Sequence, residues 1–280
     1  MIDNILLGFG IDSFAFVPVS TCSVANERLY ASLPDGCNAV FLLIPYYTEG
    51  GAGNLSKYAA VHDYHYFARE VFAAVEEYFK ETYPERFFAA FADHSPLLES
   101  DGAARAGLGV LGENSLLIND KYSSFVFIGE IITDLSRDEL ISEGISEGDG
   151  NIAFCHMCGL CKSACPSRVC GTAEREGCIS SITQKKGDLS ESEADALIRA
   201  NSIWGCDICQ IVCPYTKKAI ENKTIYTKID YFKSSLIEGD PFEIIPKMDN
   251  EAFKKYPFAW RKRGPVERNI RILSGKEKES

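Results

Sequence analysis

The chain has 280 residues, 46% of them hydrophobic, and a net charge of −11. That length holds one large or two modest domains. No apolar run reaches the length of a membrane span, and no signal-peptide pattern opens the chain, so the cytoplasm is the expected compartment. The acidity is uneven: residues 1–150 carry 8 Lys+Arg against 23 Asp+Glu, and residues 151–280 carry 21 against 17. This balance argues against a general nucleic-acid binder. It leaves a basic end, with Lys254, Lys255, Arg261, Lys262 and Arg263 near Tyr256 and Trp260, for local phosphate contacts or for solvation.

Residues 1–135 read as a mixed α/β domain in which helices cover a sheet. Residues 39–45 are a continuous apolar run closed by Pro45, as in a buried strand. Residues 57–83 read as one long helix, with Phe67, Val71, Phe72, Val75 and Phe79 at three- and four-residue intervals and Pro84 beyond it. Residues 87–91 read as a short strand, 97–106 as a short helix, and 116–118 and 124–132 as two strands. Residues 136–150, acidic and glycine-rich, read as a linker. Residues 151–220 form a cysteine-rich module whose helix at 190–200 starts on Ser190-Glu-Ser-Glu, an N-cap with an acidic first turn. Residues 221–280, broken by Pro241, Pro246, Pro257 and Pro265, are expected to be irregular, and 276–280 to fray.

The module's cysteines carry the chemistry. Cys155, Cys158, Cys161 and Cys165-Pro166 form C-x2-C-x2-C-x3-C-P, and Cys206, Cys209 and Cys213-Pro214 half-repeat it. In a run of this kind three cysteines ligate one [4Fe–4S] cluster, and the one before proline ligates the other. A zinc site needs two close ligand pairs, which this spacing does not give. Disulfides need an oxidising compartment. Cluster one is therefore expected on Cys155, Cys158, Cys161 and Cys213. Cluster two takes Cys165, Cys206 and Cys209 and lacks one ligand. Cys178, which opens a helix-like stretch, is the expected eighth ligand. Cys170, Cys22 and Cys37 are then left over as small buried hydrophobes. The overall expectation is an α+β, mixed α/β N-terminal domain followed by a ferredoxin-like two-cluster module.

Gly107-Leu-Gly109-Val-Leu-Gly112 matches G-x-G-x-x-G. Its flanks are inverted, helical before and strand-like after, so it does not read as a dinucleotide fingerprint. Fully ligated clusters move single electrons and make no bonds. The clusters thus read as wires to another centre, an organic or organometallic cofactor held by the N-terminal domain.

Several stretches resemble epoxyqueuosine reductases: Asp93-His-Ser-Pro-Leu-Leu-Glu, Ala106-Gly-Leu-Gly-Val-Leu-Gly-Glu-Asn-Ser, Phe127-Ile-Gly-Glu-Ile, Asp63-Tyr-His, Trp204-Gly-Cys-Asp-Ile-Cys-Gln and Arg268-Asn269, together with the cysteine runs. The resemblance covers nearly the whole chain. It implies cobalamin and two [4Fe–4S] clusters, the same ligand grouping, and reduction of epoxyqueuosine in tRNA to queuosine with electrons from an external donor such as flavodoxin or ferredoxin. It places the proton-donating acid on Asp93, and cobalamin contacts on Leu117, Ile128, Ser180, Cys206, Asp207, Ile208 and Cys209. An acid in an apolar pocket keeps its proton near neutrality, which is the expectation for Asp93. The competing role for Asp93 is the cap of the helix that follows. His94, His62 and His65 read as surface residues, and Tyr46 and Tyr47 as packing or pocket rim. Val110 and Glu113 stand where the family has Trp and Lys, and the chain ends just past Arg268-Asn269, where many members continue into helical repeats that help bind tRNA. Two other functions fit the architecture: a reductase of a small molecule, as in dehalogenation, and a two-cluster electron carrier.

Overall fold

Asn38–Pro45 is buried at all eight positions, because it lies inside a sheet covered on both faces. The computed structural model describes residues 1–275, so the expected fraying of 276–280 lies outside the described residues. The chain forms two units. The first comprises Met1–Pro45, Tyr64–Gly112 and Leu116–Met157; the second comprises Tyr46–Asp63, Glu113–Ser115 and the chain from Cys158 onward.

The first unit has strands β1 (Phe14–Pro18), β2 (Asn38–Pro45), β3 (Phe88–Ala92), β4 (Val110–Leu111), β5 (Leu117–Ile118), β6 (Val126–Thr133) and β7 (Ser146–Glu147), and helices α1 (Ile2–Gly8), α2 (Glu27–Tyr30), α3 (Tyr64–Thr82), α4 (Glu99–Arg105) and α5 (Arg137–Ser142). Five strands form one sheet in the order β3-β6-β2-β1-β7, and β4 pairs with β5. All pairs are antiparallel except β1 with β7. Ala39, Phe41, Leu43 and Ile132 point to one face and meet Ala103, Ala104 and Leu97 of the α4 region. Gly102 makes this approach possible, since a Cβ there would stand 2.1 Å from the Phe41 ring. On the other face, Phe72 of α3 closes over Gly129 beside Leu42. The buried side chains of α3 include Phe67, Val71, Val75 and Phe79, four of the five positions the sequence periodicity singles out, while Phe72 is half-buried.

Three expectations change. The long helix starts at Tyr64 rather than Lys57, because Ser56 N–H bonds Trp204 O in the second unit and Leu55 bridges Trp204. Residues 136–150 are not a linker: Ser136 and Glu139 close a capping box on α5, and β7 adds to the sheet edge. Local composition hid both, because strand pairing across 130 residues leaves no local mark.

The second unit is helical: α6 (Leu160–Ala164), α7 (Ile179–Gln184), α8 (Glu191–Ala200), α9 (Ile208–Ile211), α10 (Pro214–Glu221), α11 (Asp230–Lys233), α12 (Pro241–Lys247), α13 (Asn250–Lys254) and α14 (Arg263–Leu273). Here is the third change, since residues 221–275 fold into short helices rather than irregular chain. Pro241 sits at the first turn of α12, where its missing N–H costs nothing, and Asp240 and Asp249 cap α12 and α13. The core gathers Leu55, Ile203, Trp204, Ile245, Phe253, Phe258 and Val266. Arg268 and Asn269 of α14 are buried. Arg268 donates to the carbonyls of Lys185, Gly187 and Ile182, and Asn269 to those of Thr183 and Ile203. They satisfy the open C-terminal carbonyls of α7. Among the described residues no helix is long and apolar enough to cross a membrane.

Candidate functional site

The cysteine module sits on loops and short helices of the second unit, with Cys155 at the end of the first unit. All eleven cysteines are free thiols. Cys165 ends α6, Cys178 caps α7 and Cys213 caps α10, so each Cys-Pro or Cys-Ile step turns the chain. Burial pushes the Cys165 thiol up, but bonds from Ser167 and from the backbone N–H groups of Cys170, Ser167 and Val169 bring it below the ordinary thiol value. Cys206 accepts from Ile208 N–H, but burial outweighs that bond and pushes its thiol up to about 11. Backbone amides aimed at cysteine sulfur tune iron–sulfur clusters, and the amides at Cys165 and Cys206 fit the expected group.

The thiols expected on cluster two stand near one another in the second unit, though among the described residues no three His, Cys, Asp or Glu side chains are gathered as ligands of a metal ion. Charges on Cys178 and Cys165 bear on Cys206, and charge on Cys178 also bears on Cys209. These four are the expected ligands of cluster two. Cys22 and Cys37 lie in or against the first unit's apolar core, as expected. Cys170 does not behave as a buried hydrophobe. It is half-exposed and shares hydrogen bonds with Cys161 and Cys209, because the turn after Cys165 carries it back among the ligands. Burial, with Cys161 beside it, pushes its thiol up to about 12. Glu113 forms a 2.7 Å ion pair with Lys162, next to Cys161.

Of the expected cobalamin contacts, Cys206, Asp207 and Ile208 line a cavity of about 450 Å³ in the second unit, together with Gly51, Gly53 and Lys57. Asp207 accepts from Lys57 N at 2.6 Å, and burial raises its pKa to about 6. Tyr46 is buried beside it, hydrogen-bonded to Gln210. A cavity of this size suits a drug-sized ligand, and a whole corrinoid is larger than it. Ser180 bonds Tyr58 and Gln184 at the start of α7. Leu117 is 3% exposed in the first unit's core, which leaves its backbone rather than its side chain for a ligand; Ile128 is partly buried on the same cluster.

Asp93 follows β3 directly, at the strand end the sequence implies. Asp93 and His94 both adopt left-handed backbone, φ 58° and 56°. The helix-cap role falls away, since α4 starts at Glu99 behind Leu98. The pocket expectation is also corrected. The Asp93 side chain is 65% exposed, and the His65 side chain, 3.3 Å away at Nε2, holds its carboxyl below the usual range, with Tyr64 assisting. His65, read as a surface residue, is thus the partner of Asp93; Asp63-Tyr-His is the signal that carried it. Tyr64 stacks on Phe127 at 3.9 Å, which fixes the start of α3 beside the turn.

The acids that hold protons lie behind the turn. Glu99 accepts from Asp93 N–H, and burial, followed by the Asp93 charge, raises its pKa to about 7. Glu130, in the middle of β6, is fully buried. It accepts from Ser95 Oγ at 2.6 Å, and burial raises its pKa to about 8. Both lie inside the stretches that carry the family resemblance, yet periodicity reads Glu130 only as a strand residue.

The sequence pattern of a 4Fe-4S double cluster binding domain matches residues 154–216. An epoxyqueuosine reductase of Leadbetterella byssophila is 33% identical over 251 residues, covering 86% of this chain and 78% of the relative. One of Lactococcus garvieae is 30% identical over 239 residues, covering 81% of this chain; the chain spans 62% of that relative's length. A crystal structure of epoxyqueuosine reductase with a tRNA-Tyr epoxyqueuosine-modified stem loop shares the fold, with a TM-score of 0.71 and 21% identity over 98% of this chain and 80% of that one.

Proposed function

Because the chain belongs to the epoxyqueuosine reductase family, we propose that it reduces the epoxide of epoxyqueuosine in tRNA to the alkene of queuosine. The oxygen leaves as water, and the reaction consumes two electrons and two protons. The observation that carries the reading is the presence in one chain of a thiol array with amides aimed at its sulfurs and of a paired acid, Asp93 with His65. The crystal structure with a modified stem loop supports tRNA as the substrate.

Cys155, Cys158, Cys161 and Cys213 would hold one cluster, and Cys165, Cys178, Cys206 and Cys209 the other. Ser180 and the run Cys206–Cys209 would contact cobalamin, with Leu117 and Ile128 assigned through the resemblance. When bound, the clusters supply single electrons from an external donor and cobalamin supplies the reducing metal centre. The chain's own part is the proton. The resemblance gives its delivery to Asp93, whose carboxyl His65 orients and holds below the ordinary range, so Asp93 has to take up a proton at the turn before passing it to the departing oxygen. The left-handed turn projects the carboxyl away from the β3 ladder, where a substrate can reach it.

The test is restoration of queuosine in cells that lack their own reductase. Expression of this chain should convert epoxyqueuosine in their tRNA to queuosine. Unchanged epoxyqueuosine, with the chain present and its clusters loaded, would contradict the tRNA substrate.

A further inference from the structure

The second unit leaves one tryptophan in the open. Trp260 is 58% exposed, and beyond Ile211 it is the one exposed large apolar side chain among the described residues. It sits in a short 3-10 turn, Pro257–Arg261, anchored by the buried Pro257 and Phe258. The ring is held in place. Its Nε1 donates to Gln184 Oε1 at 3.2 Å, and Gln184 Nε2 donates in turn to Ser180 O at 3.0 Å. The Arg261 guanidinium stacks on the indole, 3.6 Å from a ring centroid.

Trp260 and Arg261 stand on the wall of a cavity of about 550 Å³ that Arg175, Glu176, Lys185 and Glu193 also line. Lys185 and Glu193 neutralise each other at 2.8 Å. Arg175 and Arg261 form no ion pair among the described residues, which leaves two free guanidinium groups against one carboxylate, that of Glu176. Lys262, next along the chain, is exposed and also without an ion pair among the described residues. Arg263 differs, since its guanidinium is committed to Asp249 O and to the face of Phe253. Residues 254–263 hold five cations and no acid, in a chain of net charge −11.

We propose that the Trp260 surface binds a single-stranded stretch of RNA: one unpaired base stacks on the indole, and Arg175, Arg261 and Lys262 take the neighbouring phosphates. The choice of RNA rests on the tRNA reading above.

Each part of the surface suits that occupant. Unpaired RNA bases are read by stacking on aromatic rings and guanidinium planes, with cations along the backbone. Arg261 covers one face of the indole and adds its charge to the stack. More than half of the ring's surface stays open for a base. A duplex keeps its bases stacked inside and would offer this surface only phosphates. An acidic protein would also meet the cations, but a protein interface gathers apolar side chains into a desolvated centre, and here a lone ring is surrounded by charge. Glu176 opposes a phosphate, so removing its charge should strengthen the binding of RNA.

The test is fluorescence anisotropy of a labelled, unmodified RNA hairpin with an unpaired loop, titrated with the full chain carrying its clusters. The hairpin should bind about tenfold more tightly than an RNA duplex of equal charge. Trp260→Ala should weaken the hairpin about tenfold and leave the duplex unchanged, and Trp260→Phe should recover most of the loss, since a phenyl ring also stacks. Arg261→Gln should lower the slope of log affinity against log salt by about 0.7. Glu176→Gln should tighten binding, most at low salt. Iron content equal to wild type checks that each variant is folded. Equal affinity for hairpin and duplex, or wild-type binding of the hairpin by Trp260→Ala, overturns the proposal. Competition by polyglutamate as strong as by RNA also overturns it, in favour of an acidic protein partner. A wild type that binds the hairpin through Trp260 yet leaves epoxyqueuosine unreduced overturns the epoxide reading alone. A wild type that reduces it, with KM unchanged in Trp260→Ala, overturns this proposal alone.

Discussion

Two consecutive non-glycine residues in left-handed backbone, Asp93 and His94, cost on the order of 1–3 kcal/mol each. Bonds at Ser95, Glu99 and His65 offset that cost and hold the reactive carboxyl clear of the sheet. The buried glutamates that serve the turn leave a mark on stability. Glu130 has a folded pKa near 8, raised by burial, against 4.5 for the ordinary side chain. Its contribution is therefore fully present below pH 4.5 and is lost as pH rises through 8. Replacing Glu130 by Gln should flatten the fall of Tm with pH across that window. A Tm profile parallel to wild type would show that Glu130 ionises as freely in the folded state as in the unfolded one. A second residue-scale prediction concerns the eighth ligand. Cys178 acts on both Cys206 and Cys209, its proposed partners in cluster two, whereas Cys170 touches one expected ligand of each cluster, Cys161 and Cys209. After anaerobic reconstitution the chain should hold about eight iron atoms. Cys178→Ala should lose iron from the second cluster, and Cys170→Ala should not. The reverse pattern would exchange the two assignments.

Among the elements, α7 joins Cys178, the proposed eighth ligand, to the C-terminal helix. Cys178 caps its start, and Arg268 and Asn269 of α14 close its end. Arg268→Met should leave several buried carbonyls unsatisfied, which costs about 3 kcal/mol or more. Chemical denaturation of the loaded chain should show that loss, and iron should leave the second cluster more readily. Unchanged stability would mean that water replaces the guanidinium. The elements also show what a sequence reveals. The strand at 38–45, the α3 core stripe and the Ser190 cap were legible because each is written in local periodicity or in one capping residue. The β7 edge, the late start of α3 and the His65–Asp93 pair were not, because each depends on contacts between segments distant in the chain. Cys170 was misread for the same reason: a five-residue spacing from Cys165 gives no hint that the turn returns it to the cluster ligands. Gly109 belongs to the two-stranded pairing of β4 with β5. A Cβ there would lie 2.5 Å from Ile118 O, so the glycine serves the pairing of β4 with β5.

At the scale of the whole molecule, the chain divides its chemistry between two bodies: a sheet that presents a paired carboxyl at the end of β3, and a helical unit that carries most of the thiols. That residues 154–216 form a double-cluster module was legible from spacing, because the cysteine runs are local motifs. The acid site was legible only in part, since Asp93 stood out while the groups that set its protonation lay on other strands and helices. The central claim is that Asp93 gives a proton to an epoxide oxygen as electrons arrive through the clusters. The most direct test is single-turnover reduction of tRNA bearing epoxyqueuosine by the loaded, pre-reduced protein, with cluster and cobalamin occupancy checked by the visible spectrum. Wild type should yield queuosine, and Asp93→Asn should keep both cofactors while slowing by about 10²–10⁴. A near-normal rate in the Asn variant, or no queuosine from fully loaded wild type, would contradict the account.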